Sequence, residues 1–193
     1  MAMDSRPTAD QISRLPKALL HDHLDGGLRP ETIIELADAI GYTKLPTHDP
    51  SQLADWFQES CDSGSLVRYL ETFSHTIAVM QTRDAIERVA RECVVDLARD
   101  GVVYAEVRGA PELFTEQSLS LNDVVEATVE GYKQGMAEAA REGRTIRVES
   151  ILCGMRQNNR SQEAAEAVVK YRDAGVVAGS LTAGARGAFI DPA

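Results

Sequence analysis

The chain has 193 residues, 44% of them hydrophobic, enough for the core of one domain or part of a larger one. Thirty acidic against twenty basic residues give a formal charge of −10, which argues against a nucleic-acid surface built on clustered lysine and arginine. No apolar run reaches the ~18 residues needed to span a bilayer, and the N-terminus lacks the apolar stretch of a signal peptide. A cytoplasmic protein without nucleic-acid or membrane partners is therefore expected. Three widely spaced cysteines, Cys61, Cys93 and Cys153, form no CxxC pair and suit free, mostly buried thiols in a reducing compartment.

The first apolar run, Ala18 to Leu20, reads as a buried strand of a parallel sheet and leads into His21-Asp22-His23. Pro30 opens a helix whose apolar residues at 33, 34, 36, 37 and 40 keep helical spacing and stop at Gly41. Beyond the turn-rich "YTKLPTHDPS", helical patterns cover roughly 52–59 and 66–80. A longer one runs from about Thr82, a candidate N-cap, to Asp100, with Gly101 as its stop. Val102 to Arg108 reads as the second strand, followed by a helix from about Asn122 to Arg141. "TIRVESILCG" supplies a third strand, a helix near Gln162 to Asp173 ends at Gly175, and Val176 to Ala178 reads as a fourth strand.

Repeated strand-then-helix order implies parallel strands joined by right-handed crossovers. Four such units make either a small open α/β sheet or half of an eight-unit barrel, which typically takes about 250 residues. No linker divides the chain, so residues 1–193 read as one domain, with an atypical Gly- and Ala-rich tail over 179–193.

Alternate side chains of an extended strand share a face, so His21 and His23 point the same way and suit one metal ion. Asp25 keeps that parity if the chain stays extended through Gly26 and Gly27; Asp22 faces the opposite side. A catalytic zinc normally takes three protein ligands and leaves a position for water, so two imidazoles are too few. His48 reads as a solvated loop residue and His75 as a packed or surface helix residue. Glu106 and Glu149 read as partners of Arg108 or Arg147, and Cys153 as a small buried residue.

These segments resemble a known family. "KALLHDHLDGGLRPETIIELA" is similar to the opening strand, metal motif and first helix of the adenosine deaminases, zinc-dependent members of the amidohydrolase superfamily built on a (β/α)8 TIM barrel. The likeness continues through "GVVYAEVRGAPEL", "VESILCGMRQ" and "AGVVAG", in the family's order. It implies a barrel truncated to about its first four βα units, with a helical insert after the first strand. It also implies His21 and His23 as zinc ligands, and His23, Asp25 and Gly184 as nucleoside contacts. Leu181 and Thr182 stand where the family carries an acidic residue. No catalytic residue is identifiable, because the third zinc histidine, the proton-handling glutamate and the later aspartates have no counterpart here.

The implied activity is hydrolysis of adenosine or deoxyadenosine, water attacking C6 while a glutamic acid protonates N1, with loss of ammonia. Adenine deaminase is the alternative within the enzyme class. A non-catalytic remnant, self-associating through exposed half-barrel edges, is the alternative outside it. The tail's departure from the family pattern is what a truncated or frame-shifted product, or a natural short form, would show.

Overall fold

The computed structural model describes residues 6–182. A short helix, α1 (Ala9–Arg14), is closed at its start by a capping box between Thr8 and Gln11 and leads into β1 (Lys17–His23). Four helices follow: α2 (Pro30–Ile40), α3 (Pro50–Cys61), α4 (Leu66–Val79) and α5 (Arg83–Arg99). The chain then alternates through β2 (Val102–Gly109), α6 (Leu121–Arg141), β3 (Arg147–Met155), α7 (Ser161–Tyr171) and β4 (Val176–Thr182). All strand pairings are parallel, in the order β1-β2-β3-β4. Parallel neighbours need a crossover on every return, and the helices supply it.

Helix limits follow local chemistry. Thr82 Oγ1 accepts the Ala85 N–H at 3.3 Å and starts α5, while Gly41 ends α2 in the left-handed region at φ 68°. The tightest seam joins α5 to α6. A Cβ at Gly131 would lie 2.5 Å from the Glu87 carbonyl oxygen, and one at Gly135 would lie 2.6 Å from Val94 Cβ. Both glycines are one helical turn apart, so α5 backbone and side chains settle directly on α6, around Ala90, Val94 and Ala127. Charge ties α2 to α5: Arg29 forks onto Asp96 at 2.7 and 2.8 Å, and Thr32 donates to the buried Glu92, which also accepts from Arg88.

The sheet has two unlike faces. Ala105, Val107 and Val148 are buried in the main hydrophobic cluster with the helices, whereas Tyr104, Glu106 and Arg108 alternate onto the other, inner face. In β1 the register passes from Leu19 opposite Ala105 to Asp22 opposite Val107. Leu20 and His21 thus share the one step made by Glu106, which is a bulge.

The sequence reading is corrected in three places. The first strand is not buried: Leu20 is 59% exposed, and β1 is an edge strand of the described sheet. The fourth strand runs to Thr182, not Ala178, pairing Gly179 with Leu152 and Ser180 with Cys153, so the start of the presumed tail belongs to the sheet. Of the thiols, Cys153 is buried but Cys61 is exposed and Cys93 partly covered.

Candidate metal centre

β1 ends at the histidine pair. The bulge turns His21 inward and returns Asp22 to the helix side, where its carboxylate accepts the His23 N–H at 2.9 Å. His23 then lies opposite Arg108 on the inner face. The two imidazole centroids are 5.4 Å apart with ring planes tilted by 41°. His23 also meets the edge of Phe73 of α4 at 6.4 Å. Burial, the Arg108 cation and the neighbouring His21 hold its pKa below the ordinary value, against a smaller opposite pull from Asp22. That shift favours the neutral ring, which is the form a metal ion takes.

Extended structure stops at His23, and Leu24–Gly26 form a single 3-10 turn. That turn carries Asp25 out of the strand's alternation and buries it to 6% exposure. Among the described residues nothing hydrogen-bonds its Oδ1, which lies 3.9 Å from His23 Nδ1. Burial pushes this carboxyl up to about 6, partly opposed by a local backbone hydrogen bond and by Arg108.

Arg108 is the centre of the inner face. Its Nη1 lies 2.8 Å from His21 Nε2, its Nε and Nη2 lie 3.3 and 3.1 Å from Cys153 Sγ, and Nη2 donates to Ser180 Oγ at 2.8 Å. One guanidinium therefore links all four strands. Neither glutamate pairs with it: Glu106 accepts from Tyr104 at 2.8 Å, and Glu149 pairs with Arg147. Cys153 is buried as expected, but its sulfur belongs to this polar cluster.

The other histidines lie apart from the pair. His48 pairs with Asp38 at 3.1 Å on the surface. His75 lies within α4, with Nδ1 2.9 Å from the Tyr42 hydroxyl, and packs edge-on to Trp56. Gly184 falls outside the described residues.

Two long-range clasps hold the loops around the site. Buried Glu112, just after β2, accepts the Met155 N–H and the Asn158 amide, fixing the loop after β3. Gln81 donates to the Ile77 and Leu113 carbonyls and accepts the Glu116 N–H, fixing the end of α4 to the loop after β2. Sequence reading passed over Arg108 as a site residue, and also Phe73 and Glu112. The only signal was Arg108's strand parity; its partners lie 45 to 87 residues away.

Among the described residues no group of three His, Cys, Asp or Glu side chains could hold a metal ion. The donor set nevertheless suits two positions of one: same-facing imidazoles at a strand end, one of them biased toward the neutral form.

Four parallel βα units with a polar inner face and a histidine pair closing the first strand fit half of a (β/α)8 barrel. The family model described as adenosine deaminase matches residues 16–188, and the chain belongs to that family. Adenosine deaminase 1 of Streptomyces coelicolor is 58% identical over 176 residues, 91% of this chain and 44% of the relative. Among solved structures, an Arabidopsis N6-mAMP deaminase aligns with a TM-score of 0.73 at 26% identity, covering 90% of this chain and 52% of that one. An adenine deaminase from Arthrobacter aurescens aligns at 0.64 and 25% identity, covering 87% and 49%. The chain thus spans about half the length of the relatives it matches.

Proposed function

We propose that this chain carries the first half of a zinc-dependent adenosine deaminase site, part of purine metabolism, acting on adenosine or deoxyadenosine. The carrying observation is the pair His21 and His23, 5.4 Å apart on the inner face where β1 ends. In this reading they are two metal donors, and His23, Asp25 and Gly184 contact the nucleoside. Bound zinc supplies a Lewis acid that makes water reactive near neutral pH. The chain's own part is to fix the two imidazoles and to present the desolvated Asp25 carboxylate, whose free oxygen suits a hydroxyl hydrogen of the nucleoside. The 58% identity to an adenosine deaminase, against 25% to an adenine deaminase, supports the nucleoside over the free base.

The second reading, a non-catalytic remnant or interaction protein, is favoured by one observation. The described residues supply two donors and no third. Zinc analysis of the purified chain, beside its His21→Ala and His23→Ala forms, tests the ligand assignment. Each variant should lose the zinc that the parent holds; zinc retained in both would overturn it. Conversion of adenosine, deoxyadenosine, adenine and N6-methyl-AMP, followed in the same preparations and in a complete relative, tests the substrate. Stoichiometric zinc with substantial turnover by this chain alone would exclude the remnant.

A further inference from the structure

Gln81 and Glu112 are buried polar side chains, at 4% and 7% exposure, to which the candidate site gives no chemical task. Both direct their hydrogen bonds to the carboxyl ends of β2 and β3, the same end of the parallel sheet at which β1 carries its histidines. Gln81 follows α4, and its amide is fully engaged. Its two hydrogens go to the Ile77 and Leu113 carbonyls at 2.9 Å each, and its oxygen takes the Glu116 N–H at 3.0 Å. Glu112 accepts the Met155 N–H on one carboxylate oxygen and the Asn158 amide on the other.

All these bonds except the one to Ile77 run through the stretch 112–116, most of it the single 3-10 turn Pro111–Phe114. The stretch is anchored at every step. Leu113 packs against both the main core and the small cluster of Ala110, Cys153 and Met155. Phe114 is buried in the main core, and Thr115 Oγ1 takes Arg160 Nη1 at 3.0 Å. A one-turn segment moves as a body. Displacing it breaks the bonds of Gln81 to Leu113 and Glu116 together with those of Glu112 to Met155 and Asn158. Releasing only one arm would leave a buried amide or carboxylate without its partner, which costs more than a hydrogen bond is worth.

We propose that Gln81 and Glu112 form one latch, so that the end of α4, the loop after β2 and the loop after β3 open and close as a single cooperative unit without global unfolding. Passage past these loops to the inner face is then all-or-none. The latch stands whether or not a metal ion binds at the histidine pair, since neither residue is read as a metal donor.

Native-state hydrogen exchange of the full chain in a urea series tests it without a variant. The amides of Glu116, Met155 and Asn158 should share one opening free energy and one dependence on urea, below those of the buried α5 amides of Ala90 and Val94. Different openings for Glu116 and Met155 would overturn the latch, and so would openings that coincide with those of Ala90 and Val94. Gln81→Ala then removes one arm and leaves Glu112 in place. Read against Ala90 and Val94 as the measure of global stability, exchange at both Glu116 and Met155 should quicken by roughly tenfold or more. Quickening confined to Glu116 would show two independent clasps and overturn the proposal.

Discussion

At the scale of single residues, the site is paid for in stability by Asp25. A carboxylate buried to 6% exposure with one oxygen lacking a partner is a destabilising choice unless something outside the protein satisfies it. Asp25→Asn keeps the shape and removes the charge. It should raise stability near neutral pH by about 1–3 kcal/mol, read from urea midpoints, while weakening nucleoside binding in a complete relative. A less stable variant would mean that the charged form has a partner after all.

His75 provides a pH test away from the metal site. Burial beneath Tyr42 and Trp56 lowers its pKa, so the folded state binds this proton less readily than the unfolded chain. Its neutral form contributes fully above the ordinary histidine value of 6.5, and stability is lost as pH falls through and below that value. His75→Phe should flatten this part of the stability–pH curve; an unaltered slope would assign it to other groups. The facing hydroxyl and indole do not titrate in that window.

At the scale of elements, caps and stops were legible because they are local. Pro30, Gly41, Thr82, Gly101 and Gly175 each mark a boundary that a few neighbouring residues decide. The close approach of α5 and α6 was not legible, since a glycine inside a helix looks merely unfavourable until its neighbour is known. Gly135→Val would drive a side chain into Arg91 and Val94 and should destabilise the fold by about 1–3 kcal/mol or more. Thermal unfolding of Gly135→Val beside an exposed control, Gly143→Asn, measures it; equal melting temperatures would show that the helices can part freely.

At the scale of the whole molecule, strand-helix alternation identified the parallel sheet but not which strands lie at its edges. Edge position is a property of the assembled sheet, so β1 could read as buried while Leu20 stands open. The same limit hid Arg108, whose partners come together only when four strands are side by side. The sheet shows two unpaired edges among the described residues, β1 and β4. Unpaired parallel edges recruit further strands, so the purified 193-residue chain should grow in hydrodynamic size with concentration. A concentration-independent monomer by light scattering would contradict this.

The bulge in β1 has the widest reach. Leu19 and both histidines hold odd positions, so an unbroken strand would send all three to the same side of the sheet. With Leu19 against the helices, the imidazoles would be pressed into oil. The supernumerary step at Leu20–His21 acts as a phase shift: upstream the strand is in phase with the helices, downstream with the lumen. Losing Leu20 would straighten the strand and leave both histidines on the lumen side, whereas the same residues laid out without the bulge would turn them to the wrong side of the wall. Motif and site are therefore separable in this fold, and a one-residue slip of register, with no change of sequence, is enough to separate them.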